Sequence, residues 1–267
     1  MAKLVAAVGA PHRPAMPQQA AQSPGQHAFE GQMKQVREQL EAAAPDVIIE
    51  MATDHFTNFF YSNMPAFCLG LADEAEGPEP SVNMPHYTVQ GSPDLARALL
   101  AYGLRSRFDL AVTEEVILDH SVLVPLHFLT PSMSIPVVPL YINGIAPPFP
   151  RATRCYALGQ TIRKFVEQWD ADKRVALVVS GSFALEVGGP KVGWTDERWV
   201  KTIMGLLESG RYRSLARRAT QERMAAAGNA SRELLNWIAM TGAVGDARPL
   251  FVETDNSGNG YAAWKLE

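Results

Sequence analysis

The chain has 267 residues, which is enough for one large domain with a substantial hydrophobic core. The net charge of −4 and the lack of any long Lys or Arg run argue against nucleic acid or a membrane surface as a partner. No apolar stretch approaches the roughly 20 residues that span a bilayer. The two cysteines, Cys68 and Cys155, suggest neither a disulfide framework nor a metal-type pair, so we expect a cytoplasmic protein.

Strand and helix signals alternate along the chain. In order, the first half predicts a strand in LVAAVG, a loop in PHRPAMPQQAAQSPGQ, a helix in AFEGQMKQVREQLEAAA, a strand in DVIIEMA, an irregular region over 56–90 with a hairpin around AFCLGLA, a helix in SPDLARALLAYGLRS and a strand in DLAVTEEV. The second half predicts a helix in SVLVPLHFL, a strand in IPVVPLYIN, a helix in PRATRCYALGQTIRKFVEQW, a strand in RVALVVSGS, mostly helix over 195–245, and two extended pieces in PLFVETDNSGNGYAAWKLE.

This alternation predicts an α/β fold. We expect a single domain over residues 1–267, with a central mixed, mostly parallel sheet that is flanked by helices on both faces.

Three of the six histidines stand where a strand, or the connection after it, ends. KLVAAVGAPH ends on His12, PDVIIEMATDH ends on His55, and AVTEEVILDH ends on His120. Ligands of open α/β sheets gather at the carboxyl ends of the strands, so this placement suggests a metal or catalytic site. For any one of these residues, a surface or capping histidine is the simpler interpretation.

Two imidazoles and one carboxylate form a facial ligand triad with open positions, which suits Fe(II), and zinc hydrolases use the same ligand types. No HExxH motif occurs, which excludes a helix-borne zincin site. Glu233 stands out mildly because it lies in the apolar helix ELLNWIAM, but a partly exposed acid in the first turn of that helix explains it equally well. The carboxylate candidates are Glu50, Asp54, Asp119, Glu186 and Glu233.

The chain resembles the class III extradiol ring-cleavage dioxygenases, the family of the protocatechuate 4,5-dioxygenase catalytic subunit. The resemblance covers most of the chain and rests on PHRPA, PDVIIEMATDH, GSPDLA, LDHSVLVPL, RCYALGQTIRKFVE and RELLNWIAMTGA, in this order. It implies Fe(II) held by His12, His55 and Glu233, with His120 as a catalytic residue beside the substrate. It also implies a small aromatic ortho-diol and O2 as the reactants, with both oxygen atoms incorporated.

One position departs from the family pattern. After the strand RVALVVSGS the family usually places an acid/base histidine, and the aligned residue here is Leu185, which cannot move a proton. We therefore expect an aromatic ortho-diol or an atypical analogue, a hydroxypyridone or an aminophenol, with His120 as the remaining proton carrier. A shift of the loop by one residue would make Glu186 the substitute. The alternatives are a non-catalytic metal-binding subunit of the same fold and a zinc-dependent hydrolase.

Further predictions concern the substrate and the assembly. We expect Leu185 and Asn58 to contact the substrate, with Asn58 lying among the aromatic residues of HFTNFFY. Arg13, beside His12, is a candidate for holding an anionic group, although arginines near a site are common. VSGSFALEVGG lacks the Gly-x-Ser-x-Gly spacing of a serine nucleophile, which argues against a serine hydrolase. The resemblance implies a homo-oligomer or a complex with a small lid subunit.

Overall fold

The computed structural model describes residues 1–266. The strands are β1 (Lys3–Ala10), β2 (Val47–Ala52), β3 (Phe67–Gly70), β4 (Glu74–Gly77), β5 (Tyr87–Gln90), β6 (Ala111–Thr113), β7 (Val137–Ile142), β8 (Arg174–Ser180), β9 (Phe251–Thr254) and β10 (Gly260–Lys265). The helices are α1 (Met16–Gln22), α2 (Ala28–Ala42), α3 (Pro93–Arg105), α4 (His120–Leu129), α5 (Ala152–Gln168), α6 (Glu197–Glu208), α7 (Tyr212–Arg218), α8 (Gln221–Ala226) and α9 (Leu234–Val244), with a 3-10 turn at Ser231–Glu233.

Eight strands form one sheet in the order β6-β3-β7-β2-β8-β1-β10-β9. The four central strands β7, β2, β8 and β1 run parallel to one another. Antiparallel pairing occurs toward the edges, where β3 pairs with β7, and β10 pairs with β1 and β9. A separate hairpin-like sheet joins β4 and β5. The predicted mixed, mostly parallel sheet is therefore confirmed.

Helices cover both faces of the large sheet. Buried side chains of α3, α5, α6, α7 and α9 pack on one face, and those of α2 and α4 pack on the other. The central strands are consequently buried on both sides, which is why VIIEMA and VALVVS are nearly continuous apolar runs rather than alternating patterns. The expectation of helices on both faces is confirmed.

Helix α9 is buried along its whole length and packs closely on α5. Two glycines allow this approach, because a Cβ at Gly159 would lie 1.8 Å from the carbonyl oxygen of Ala239, and a Cβ at Gly242 would lie 2.0 Å from that of Tyr156. Since Glu233 immediately precedes α9, the contact between these helices sets the position of that carboxylate.

Two local expectations were wrong, and a third was confirmed only over a shorter stretch. AFCLGLA forms no hairpin, because its strand β3 lies inside the large sheet between β6 and β7. The strand expected in DLAVTEEV is present as β6, although it is only three residues long. The expected loop after His12 contains helix α1, whose start carries a proline where the missing N–H costs no hydrogen bond. None of the helices within residues 1–266 combines the length and apolar composition needed to cross a membrane.

Candidate metal centre

Three parallel central strands bring the candidate ligands to one edge of the sheet. His12 follows β1, His55 follows β2, and the turn after β8 contacts Glu233. Because β1, β8 and β2 are neighbours that run in the same direction, their carboxyl ends open onto the same place. The strand-end pattern of the sequence thus becomes a cluster in space.

The side chains of His12, His55 and Glu233 meet around one point. The Nε2 atom of His12 lies 3.3 Å from Oε1 of Glu233, and Nε2 of His55 lies 3.5 Å from the same oxygen. Donor atoms that bind one ion at about 2.0–2.2 Å are separated by ~3 Å when they occupy neighbouring positions. The set therefore fits a single divalent ion, with two imidazole nitrogen donors and one carboxylate oxygen donor.

Asp119 holds the ring of His55 in place. Its Oδ2 atom accepts a hydrogen bond from the backbone N–H of His55 at 2.9 Å and lies 3.0 Å from Nδ1 of the same residue. Burial works to lower the pKa of His55, but the hydrogen bonds with Asp119 and Glu233 outweigh it and raise that pKa to about 10. With Nδ1 tied to Asp119, Nε2 is directed at Glu233, which is how a carboxylate orients a metal-binding imidazole.

The buried Asp119 carboxylate also caps α4. It accepts the backbone N–H of Ser121 at 3.2 Å and the hydroxyl of the same serine. Burial works to raise its pKa, but the contact with His55 and these bonds lower it to about 2. Asp119 therefore stays ionised and joins the start of α4 to the His55 ring.

Glu233 is oriented by the turn that follows β8. Its Oε2 atom accepts the backbone N–H of Ser182 at 2.8 Å, which leaves Oε1 facing the two imidazoles. Burial works to raise the pKa of Glu233, but His12 and His55 outweigh it and lower that pKa. The turn requires glycine at position 181, where φ is +136° and a Cβ would lie 2.7 Å from Cβ of Glu233.

His120 completes a group of three imidazoles. It is the first residue of α4, and its ring centroid lies 4.3 Å from that of His55. One nitrogen from each of His12, His55 and His120 lies within 4.8 Å of the others. Glu79 holds His120 twice, by accepting its backbone N–H at 3.0 Å and by hydrogen bonding to Nδ1. No sequence motif pointed to Glu79, because it lies in a loop distant along the chain.

His12 differs from the other two histidines. Its Nδ1 atom is buried and has no hydrogen-bond partner among the described residues. Burial lowers the pKa of His12 and outweighs the opposing effect of Glu233. A neutral imidazole results, which is the form that binds a metal ion.

A cavity with a volume of about 500 Å³ opens over the cluster. Leu185 lines it, where its backbone is pinned by a hydrogen bond from its N–H to Oγ of Ser231 at 2.9 Å. Glu186 is turned to the backbone N–H of Asn229, which it accepts at 3.0 Å. The leucine, and not the adjacent acid, is therefore the side chain beside the histidines. Most of the lining is apolar, from Pro14, Ile145, Leu185, Val187 and Ala230.

The remaining sequence candidates lie elsewhere. Asn58 donates its side-chain amide to Asp54 at 2.7 Å and to the carbonyl of Ile117 at 2.9 Å, so it joins two loops instead of facing the cavity. Asp54 accepts backbone N–H groups of the same loop. Glu50 is completely buried in the sheet, where desolvation first and Asp119 second raise its pKa. Asp54 therefore holds its own loop, whereas neither oxygen of Glu50 has a hydrogen-bond partner among the described residues, and neither carboxylate contacts the cluster.

The family model and the related proteins that match this chain all point to the same family. A family model described as the catalytic LigB subunit of aromatic ring-opening dioxygenase matches residues 6–265. A Pseudomonas putida protein named 2,3-dihydroxyphenylpropionate/2,3-dihydroxicinnamic acid 1,2-dioxygenase 2 is 34% identical over 174 residues, which are 65% of this chain and 54% of that protein. An Escherichia coli protein named 2,3-dihydroxyphenylpropionate/2,3-dihydroxicinnamic acid 1,2-dioxygenase is 28% identical over 259 residues, 80% of this chain and 81% of that protein.

A solved structure shares the fold. It is an uncharacterized protein from Escherichia coli K12, with a TM-score of 0.68 and 14% identity, and the match covers 98% of this chain and all of that one. At this level of identity the likeness concerns the architecture alone.

Proposed function

Because the chain belongs to the LigB family of catalytic subunits of aromatic ring-opening dioxygenases, which are metal-dependent extradiol ring-cleavage enzymes, we propose that it uses Fe(II) to cleave an aromatic ortho-diol or a close analogue with insertion of both atoms of O2. The observation that carries the proposal is the convergence of His12, His55 and Glu233 on one point. Two imidazoles and a carboxylate with open positions are the ligand set typical of non-haem Fe(II) oxygenases.

The protein's part in the reaction is to hold the substrate and to move its protons. Iron bound by His12, His55 and Glu233 would supply the electron transfer between the aromatic diol and dioxygen. The apolar side chains of the cavity lining, among them Leu185 and Ile145, would contact the aromatic ring and displace water from around it. The relatives' named substrate is an aromatic ortho-diol, which supports this class of substrate here.

His120 is the proposed proton carrier. Since its Nδ1 is hydrogen bonded to Glu79, its Nε2 is the atom left to take a proton from a substrate hydroxyl and return it later. The carboxylate of Glu79 stabilises the imidazolium that forms, as a carboxylate does for a catalytic histidine in general. Leu185 leaves this single imidazole to serve as the acid/base group, and we propose that the natural substrate is one that needs only one, such as an aminophenol or a hydroxypyridone.

Oxygen uptake by iron-reconstituted protein tests the proposal. The panel contains catechols, 2-aminophenols and dihydroxypyridines, and ring cleavage is followed by absorbance of the open-chain product. We expect uptake with at least one class, and a loss of both bound iron and uptake in Glu233→Gln. Glu222→Gln, at an exposed helical position, is the matched control and should keep both. Absence of uptake with every compound in iron-loaded protein would reject the proposal.

The group of three imidazoles favours a second candidate, a zinc-dependent hydrolase, since three histidines also hold catalytic zinc. Metal analysis of protein purified without added metal separates the two, because a hydrolase would carry zinc and turn over without oxygen. A non-catalytic metal-binding subunit would bind iron without uptake in any mixture.

We also propose a homo-oligomer, or a complex with a small lid subunit, on the basis of the exposed apolar side chains Val187, Val192 and Trp194 in the segment after Leu185. The free, buried cysteines Cys68 and Cys155 support the proposal of a reducing, cytoplasmic location. Sedimentation of the purified chain would decide between a homo-oligomer and a monomer that awaits a partner.

A further inference from the structure

The polar groups that line the cavity are nearly all occupied by other parts of the chain. The hydroxyl of Ser182 donates to Oδ1 of Asn259 at 2.9 Å. The side chain of Asn229 accepts the backbone N–H of Val187 at 2.9 Å and donates to the carbonyl of the same residue at 2.8 Å. These side chains have little capacity left to recognise a substituent on a bound ring.

Arg13 is different. It lines the cavity, and its side chain makes no ion pair and no hydrogen bond in the part of the chain that the structure describes. Burial raises the pKa of Tyr261, and the charges of Asp255 and Arg13 act on it in opposite directions. Asp255 is itself committed to its own turn, where its oxygens accept hydrogen bonds from Ser257 and Asn259. The five N–H donors of Arg13 are therefore available to a ligand.

Arg13 lies next to the metal cluster. It directly follows His12, so its backbone is fixed beside the proposed ligands while its side chain reaches the rim. The neighbouring lining is apolar, from Pro14, Ile145 and Val187, and offers no hydrogen bond to a polar ring substituent. A guanidinium at the edge of an apolar pocket favours a planar anion, because it can donate two parallel hydrogen bonds to a carboxylate.

We infer that Arg13 forms an anion subsite that selects ring substrates with a carboxylate side chain, the short apolar spacer lying against Pro14 and Ile145. This inference rests on the proposed function, since it assumes that the hydroxyls of the ring face His12, His55 and Glu233. The subsite sets substrate selection and orientation, and it takes no part in the bond-breaking steps.

The test measures binding separately from turnover. Iron-loaded protein is titrated calorimetrically under argon with 2,3-dihydroxyphenylpropionate and with its uncharged primary amide, which has nearly the same shape. We expect the acid to bind roughly tenfold or more tightly than the amide. In Arg13→Met this ratio should fall to within about threefold of one, and Arg13→Glu should favour the analogue with an aminoethyl side chain.

Arg213→Met, an exposed arginine of α7 far along the chain, is the matched control and should keep the wild-type ratio. Iron content is measured in every variant, because position 13 adjoins a proposed ligand. The inference is overturned if acid and amide bind the wild type equally, if neither binds, or if Arg13→Met keeps the preference. Oxygen uptake is recorded in parallel, so that absence of turnover would count against the dioxygenase while the binding ratio still decides the role of Arg13.

Discussion

Replacing Asp119 with Asn should weaken metal binding while leaving the fold intact. The carboxylate makes two contacts with His55, at 2.9 Å and 3.0 Å, and two with Ser121. Asn presents one acceptor and one donor where Asp presents two acceptors, so His55 or Ser121 loses a partner. Asn is also a good N-cap, so the start of α4 should persist.

The size of the effect follows from the lost charge. A hydrogen bond to an ionised group contributes about 1.5–3 kcal/mol, and ~1.4 kcal/mol corresponds to a tenfold change in an equilibrium constant. We therefore expect an affinity for the metal that is about 10–100-fold lower, in line with the general cost of losing a carboxylate that orients a ligand histidine.

The assay is a competition titration of metal-free protein with a chromophoric chelator, using Co(II) as a redox-stable substitute for iron. Asp94→Asn, at an exposed position in the first turn of α3, controls for the loss of one charge, and thermal unfolding of the metal-free forms controls for stability. An affinity within about twofold of wild type, in a variant that unfolds at the same temperature, would refute the idea that Asp119 orients a metal ligand.

Three further predictions test the site and the scaffold. His120→Ala should lower kcat by about 10²-fold while iron content stays near wild type; a loss of iron would instead make His120 a ligand. Gly181→Ala should destabilise the protein by about 1–3 kcal/mol and reduce bound metal, because its Cβ would lie 2.7 Å from that of Glu233 at a φ of +136°. Unchanged urea unfolding and metal content would contradict this role for the turn. Gly159→Ala should also destabilise by about 1–3 kcal/mol, since a Cβ would lie 1.8 Å from the carbonyl oxygen of Ala239. Gly31→Ala is the control, because a Cβ at this position of α2 would meet no other atom and should not destabilise the protein. Equal unfolding free energies for Gly159→Ala and Gly31→Ala would show that α5 and α9 can move apart to admit the extra methyl group.

Much of the scaffold could be predicted because it depends on local pattern. Buried parallel strands appear as apolar runs, and amphipathic helices appear as apolar residues with a period of 3.6. The sequence alone was therefore enough to place β1, β2, β8 and α5. The short strands could not be placed in this way, because a strand of only four residues such as β3 takes its direction and its partners from the strands that the fold brings beside it.

The same division applies to the site. A histidine after a buried strand signals a strand-end site, so His12 and His55 could be proposed from sequence, whereas Asn58 among aromatic residues gave no sign that Asp54 and Ile117 would occupy it. The roles of His12, His55 and Glu233 as metal ligands stay predictions, and so does the role of His120 as the proton carrier.

By itself, then, the sequence determined the fold class, the family and which strand ends carry imidazoles, because each depends on neighbours along the chain. Only the tertiary structure decided that Asp119 orients His55, that Glu79 holds His120 and that Arg13 meets no partner within residues 1–266. Those facts depend on which side chains meet across tens of residues, and hydrogen bonds between distant loops leave no periodicity in the chain.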